Sequence, residues 1–396
     1  MDIKKYLRDW AETYRRDLTD NIMPFWLNHG LDRENGGVYT CLDREGQLMD
    51  TTKSVWFQGR FGFIAAFAYN NIEQRPEWLE ASRSCIDFIT RHCCDPDGRM
   101  YFEVTVDGRP LRMRRYLFSE CFAAIAMSEY AIASGDEAYA RRALEVFRLI
   151  LHYKDTPGLL PPKYLPDMEC QGHSLTMILI NTASRLRAAL QDAALDRQID
   201  ESIQSLQRNF VHPEFKAVLE TVGPRGEFID TCNGRVINPG HCIETSWFIL
   251  EEARHRAWDK KLTDLALTIL DWSWQWGWDK EYGGIINFRD CRNFPPQDYS
   301  QDMKFWWPQT ETIIACLYAY LATGDERHLL RHKLVSDWAY AHFPDSEYGE
   351  WYGYLHRDGT VAQTAKGNIF KGPFHIPRML IKGYMLCNEI LNKHDE

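Results

Sequence analysis

The sequence predicts an all-α fold, an (α/α)6 barrel of six helix pairs with short β-hairpins at one end, and three observations carry that prediction. A Gly-centred turn-and-strand segment recurs six times. Helical periodicity recurs in twelve places, two for each segment. The run directly after each segment is nearly apolar all round, whereas the alternate run keeps a polar face, as inner and outer helices of a two-layer array should. A spacing of about sixty residues means a closed or stacked array of similar units. Closure is favoured because the first and last units resemble the rest, with none of the polar capping units an open solenoid needs.

The segments are centred on Gly36–Gly37, Gly98, Gly158, Ala217, Gly283–Gly284 and Gly349. Their DG, GG and NG dipeptides between alternating aromatic residues predict hairpins or tight turns. Helices are predicted near residue 5 and from Ser54, Glu77, Phe118, Glu137, Ser174, Leu195, Cys242, Lys261, Lys304, Glu326 and Ile376. No Ser/Gly/Pro tract or charge block interrupts the 396 residues, so residues 1–396 are read as one domain.

Composition narrows the function. A formal charge of −10 and a pI near 5.8 argue against a nucleic-acid or anionic-membrane surface, which needs clustered Lys and Arg. A neutral or mildly polar small molecule is the expected partner. The charged, amphipathic N-terminus has no signal-peptide core and no run long enough to span a bilayer, so a cytoplasmic location is expected. Eleven scattered cysteines with no Cys-x-x-Cys are read as reduced and mostly buried. Aromatic content of 13% suits a site that offers a sugar both an apolar face and a hydrogen-bonding edge.

The openings of the inner helices carry the chemistry. They bring Arg60, Glu120, His173, His241, Glu311 and His375 to one end of an otherwise apolar ring, where an unpaired charge costs several kcal/mol, on the order of a lost solvation shell. These groups must face one another or a wet pocket. In His241-x-x-Glu244 both side chains share a helix face, so Glu244 can fix the imidazole tautomer. The same pair could ligate a metal, but no further ligands sit at a recognisable spacing, and no metal is expected. Glu120 and Arg60 could instead form a buried ion pair. Lys304 and Lys371 read as rim charges, and Lys304, Asn238 and Trp307 join Arg60, Glu120 and His173 as candidate substrate contacts. His241, His375, Glu244 and Glu311 are the candidate catalytic set. Two histidines on separate helices can stand on opposite faces of a carbon acid, one removing a proton and the other returning it, with Arg60 stabilising the oxyanion between. No Gly-x-Ser-x-Gly elbow is present.

The blocks Lys53-Ser-Val-Trp-Phe-Gln-Gly-Arg60, Phe118-Ser-Glu-Cys-Phe-Ala-Ala-Ile-Ala-Met127, Ile237-Asn-Pro-Gly-His-Cys-Ile-Glu244 and Lys371-Gly-Pro-Phe-His-Ile-Pro-Arg378 resemble the N-acylglucosamine 2-epimerase family, also called renin-binding protein. The resemblance implies an (α/α)6 barrel and reversible epimerisation at C2 of an open-chain sugar through a cis-enediolate. It implies that Arg60, His241, Glu311 and His375 occupy the family's binding and catalytic positions, and that Glu244 partners the first histidine. No cofactor is required by this chemistry; homodimers are common in the family, and some members are stimulated by ATP without consuming it. One departure is Gln171-Gly172-His173-Ser174, where His173 looks more like relatives acting on unsubstituted mannose by isomerisation or epimerisation. The first substrate expectation is the N-acetylglucosamine/N-acetylmannosamine pair, with free mannose or glucose next. A glycoside hydrolase using Glu244 and Glu311, or a non-enzymatic binding protein, are the readings from other classes.

Overall fold

The computed structural model describes residues 2–395. Twelve long helices alternate between two layers. The outer ones are α1 (Ile3–Asp17), α3 (Pro76–His92), α5 (Glu137–Asp155), α7 (Leu195–Asn209), α9 (Lys260–Gly277) and α11 (Glu326–His342). The inner ones are α2 (Val55–Asn71), α4 (Phe118–Ser134), α6 (His173–Leu190), α8 (Pro239–His255), α10 (Trp306–Thr323) and α12 (His375–Asp395). Neighbouring inner helices pack in the order α2, α4, α6, α8, α10, α12, and α12 returns to α2. The ring is therefore closed, and the fold is an (α/α)6 barrel.

The layers differ as the apolar pattern requires. In α4 every residue from Ser119 to Ala131 is buried, whereas α7 buries one stripe of Leu195, Ile199, Ser202, Ile203, Leu206 and Asn209. The first helix runs on past its expected end. Two single π-turns, Leu18–Ile22 and Trp26–Gly30, flank a short turn at Met23–Phe25. Pro24 has no N–H to donate within a regular helix, and wider turns accommodate it. The outer layer closes where α11 meets α1: His332 Nδ1 and Nε2 bond the hydroxyls of Tyr6 and Tyr14 at 2.7 and 2.8 Å.

The Gly segments share one built turn. Asp32, Asp95, Asp279 and Asp345 each accept backbone N–H groups two to four residues on, and the following glycine takes positive φ, as at Gly283 (74°) and Gly349 (76°). A buried lysine closes three of these turns. Lys53, Lys304 and Lys366 bond Asp32, Asp279 and Asp345 together with the carbonyls of Gly36, Gly283 and Gly349. The inner helices reach back to the residue just after the turn. Gln58 brackets Val38, Gln309 brackets Ile285, Glu120 accepts the Met100 N–H, and Cys242 Sγ approaches the Val218 carbonyl.

The hairpins expected at the turn-bearing end form in three units, Glu103–Val104 with Pro110–Arg112, Val211–His212 with Ala217–Val218 and Tyr354–Leu355 with Val361–Gln363. Among the described residues the other four strand pairings link one unit to the next, for example Lys53–Ser54 with Glu103–Val104 and Gln171–Gly172 with Thr221–Val222. Backbone pairing therefore stitches the turn-bearing end around the ring. The third unit lacks the turn bridge among the described residues: Gly158 has positive φ, but the chain from it to Gln171 holds only a 3-10 turn at Pro166–Met168. Among the described residues no helix is long and apolar enough to cross a membrane.

Candidate active site

All six inner helices send side chains from their N-terminal turns into one cavity of about 440 Å3, within the ~300–1,000 Å3 usual for small-molecule sites. Arg60 comes from α2, Phe122 from α4, Met177 and Asn181 from α6, His241 and Glu244 from α8, Trp306 and Trp307 from α10, and His375 and Arg378 from α12. Trp307 lies between the two histidines, its ring centroid 5.1 Å from His241 and 5.7 Å from His375. Gly240 makes this possible, because a Cβ there would fall 2.5 Å from the Trp307 indole.

Each histidine is tied to a carboxylate through Nδ1. His241 Nδ1 is 3.0 and 3.1 Å from the two oxygens of Glu220. His375 Nδ1 is 2.8 Å from Glu311 Oε1, and Trp247 Nε1 donates to Glu311 Oε2 at 2.8 Å. Arg378 Nη2 lies 2.8 Å from Glu311 Oε1 and also bonds Glu244. The two settings shift the imidazoles in opposite directions. Burial opposes charge on His241, but the Glu220 carboxylate outweighs it and raises the imidazole above its ordinary value. Burial and the Arg378 charge hold His375 well below that value.

Arg60 is enclosed by aromatic rings, its guanidinium carbon 4.2 Å from the Phe122 centroid and 4.7 Å from that of Phe374. Burial pushes it down to about 9, with Glu244 opposing, so it stays cationic at neutral pH. Its Nε is buried without a hydrogen-bond partner, a donor available to a ligand oxygen.

Several predicted contacts lie elsewhere. Glu244 does not partner His241; it bonds Arg378 at the pocket wall, and Glu220 takes the partner's place. Glu120 faces away from the pocket, 2.7 Å from Arg99, so neither substrate contact nor an ion pair with Arg60 describes it. Lys304 is no rim charge, being fully buried against Asp279, and Lys371 is equally buried against Glu350. Asn238 caps α8 by accepting the His241 N–H at 3.2 Å. His173 is fully buried between Glu220 and Thr245, outside the pocket lining. Glu220, Arg378 and Trp247 were not singled out from the sequence. Arg378 had a readable signal, since it follows His375 by one helical turn.

Donor atoms of His173, Glu220 and His241, and of Glu244, Glu311 and His375, lie close enough to hold a metal ion. Both groups are joined by hydrogen bonds and ion pairs, with Arg378 already placed as the cation of the second. A second cavity of about 860 Å3 adjoins the first, sharing Phe118 and Ser174 and bordered by Glu220. It contains neither histidine of the pair, so the smaller cavity is the candidate site.

The N-acylglucosamine 2-epimerase (GlcNAc 2-epimerase) family profile matches residues 37–371. N-acylglucosamine 2-epimerase of Bos taurus is 37% identical over 98% of this chain and 92% of that protein. The structure of cellobiose 2-epimerase from Spirochaeta thermophila has a TM-score of 0.85 at 21% identity, covering 99% of this chain and 100% of the other. A D-mannose isomerase structure has a TM-score of 0.81 at 18% identity, covering 97% and 98%.

Proposed function

The chain belongs to the N-acylglucosamine 2-epimerase family and is a sugar epimerase, and from that premise we propose that it interconverts N-acetylglucosamine and N-acetylmannosamine by proton transfer at C2 of the open-chain sugar. One observation carries the reading: two imidazoles face one pocket across Trp307, each with Nδ1 tied to a carboxylate and each biased to the opposite protonation state. Neutral His375 removes the C2 proton through Nε2, and the electron pair passes through C1 to O1 to give an enolate whose C2 keeps the acetamido nitrogen. Arg60 donates to that oxygen. Protonated His241 then returns a proton to the opposite face of C2, which inverts it. The histidines exchange roles in the reverse direction, and solvent restores the starting protonation states.

Substrate choice rests on the wall of the pocket. Phe122, Met177, Ile178, Phe248 and Phe374 form an apolar surface suited to an acetyl methyl, whereas a bare hydroxyl would need a polar partner there. The case for unsubstituted mannose depended on His173, which points to Glu220 and Thr245 instead of the pocket. Hydrolysis by Glu244 and Glu311 is disfavoured because one Arg378 nitrogen neutralises both carboxylates, leaving neither as a general acid. Incubation with N-acetylmannosamine in D2O should place deuterium at C2 of both epimers. No exchange with N-acetylated or free aldoses would end the proposal, and deuterium at C1 of a ketose would redirect it to isomerisation.

A further inference from the structure

We infer that His173 is a positioning residue for the reaction, holding Glu220 in the one orientation that keeps a proton on His241. The inference rests on the two-histidine reading above. His173 grips Glu220 twice: its backbone N–H donates to the Glu220 carbonyl at 3.0 Å, and its Nδ1 lies 3.4 Å from Glu220 Oε1. Its Nε2 is 3.0 Å from the hydroxyl of Thr245, one turn beyond His241 on α8. A carboxylate can only accept, whereas a hydroxyl can donate. The tautomer that satisfies every contact therefore carries its proton on Nδ1, towards Glu220, and accepts from Thr245 at Nε2. His173 is fully buried, so water cannot substitute for either partner.

Glu220 needs this restraint. It borders the larger cavity, and with His241 as its sole side-chain partner it would have open space into which to rotate. The second imidazole holds Oε1 towards His241, and a carboxylate that accepts more hydrogen bonds competes less for the proton they share. The carboxylates acting on His241 are Glu220, Glu244 and Glu311, and His375, Arg60 and Arg378 share its pocket. Of these, Glu220 alone bonds both His173 and His241. A change at His173 is therefore felt first at His241, and at His375 only through the charge of His241.

The test measures C2 exchange in D2O separately from each N-acetylated epimer, by NMR at early times. In His173→Phe, conversion of the epimer deprotonated by His375, which takes its returning proton from His241, should slow about tenfold relative to the other, with kcat reduced, KM retained and the alkaline limb of the pH profile moved to lower pH. His173→Asn, whose amide N–H stands near the lost Nδ1–H, should recover most of the loss. Thr245→Val acts from the far side of the ring and should move the same ratio, which keeps the test open if the phenylalanine variant does not fold. Equal slowing of both epimers, or an unchanged ratio while His241→Asn abolishes one exchange, would overturn the role of His173 alone. Absence of exchange from either epimer in the unmodified protein would overturn the two-histidine reading and this inference with it.

Discussion

His241 and His375 are the same side chain at the start of two inner helices, yet the protein gives them opposite surroundings. The His241 side chain is 28% exposed and leans on Glu220, itself 18% exposed, with no cation bonded to that carboxylate among the described residues. The His375 side chain is 10% exposed and bonds a fully buried Glu311 already claimed by Arg378. A carboxylate whose charge is spent on an arginine still orients an imidazole but no longer favours its cation. One half of the site therefore favours a proton and the other disfavours one, the asymmetry on which the proposed inversion at a single carbon relies. The difference lies in the neighbours of the carboxylates, since both histidines make the same Nδ1 contact.

Replacing either histidine by asparagine tests the comparison most severely. Turnover should fall by about 10²–10⁴-fold for His241→Asn or His375→Asn. The exchange pattern should separate them: each variant keeps C2 exchange from one epimer, and the two variants keep opposite ones. Loss of exchange from both epimers in either variant would mean that one base serves both faces.

The carboxylate partners come next, and pH resolves them. Activity in the direction begun by His375 needs His375 neutral and His241 protonated. Because the His375 value is lowered and that of His241 is raised, the kcat profile should be a broad bell whose acid limb reports His375 and whose alkaline limb reports His241. Glu220→Gln removes the charge that raises His241, so the alkaline limb should move to lower pH with a loss of about tenfold to a hundredfold at neutral pH. Glu311→Gln should leave that limb nearly in place. Rate measurements from pH 5 to 9 decide it, and a matching alkaline shift in both variants would erase the asymmetry.

A smaller effect should follow from Trp247→Phe. This change removes the hydrogen bond to Glu311 Oε2 and frees one side of the carboxylate that orients His375. A hydrogen bond to a charged group is worth about 1.5–3 kcal/mol, and kcat should fall about tenfold with KM little altered. Exchange from the epimer that His375 deprotonates should carry the loss. A uniform loss from both epimers would place Trp247 in the general packing of the barrel.

The sequence made the barrel legible because its signals are local. Turn glycines and the alternation of apolar with amphipathic runs both act within a few residues of themselves. Arg60, His241, Glu311 and His375 could be gathered at one end for the same reason, since a closed array brings the openings of its inner helices together. Glu220 could not, because it lies 21 residues before His241, in a loop held to the start of α8 by its N–H bond to the Val236 carbonyl, and no helical spacing links the two. Spacing within α8 suggested Glu244 instead, but Arg378 from a helix far along the chain outcompetes His241 for it. Glu120 was misplaced by counting from the turns. Its contact with Met100 shows that it corresponds to Gln58 and Gln309, residues that hold the turns and leave the pocket to neighbours further along each helix.

Lys304 provides the boundary of the comparison, a buried charge in the same barrel that should leave both histidines undisturbed. It closes the fifth turn against Asp279 and the Gly283 carbonyl, and burial pushes it down to about 8 even with Asp279 opposing. Lys304→Met leaves Asp279 to Arg357, which already bonds it at 2.8 and 3.1 Å. Breaking a buried pair costs ~3–5 kcal/mol, and the remaining arginine should keep the loss near the lower figure. Denaturant unfolding should therefore register a clear fall in stability, while the acid and alkaline limbs of turnover stay where they were. A moved limb would mean that the turn supports the site as well as the fold, and that the asymmetry between the histidines begins further out than the carboxylates they touch.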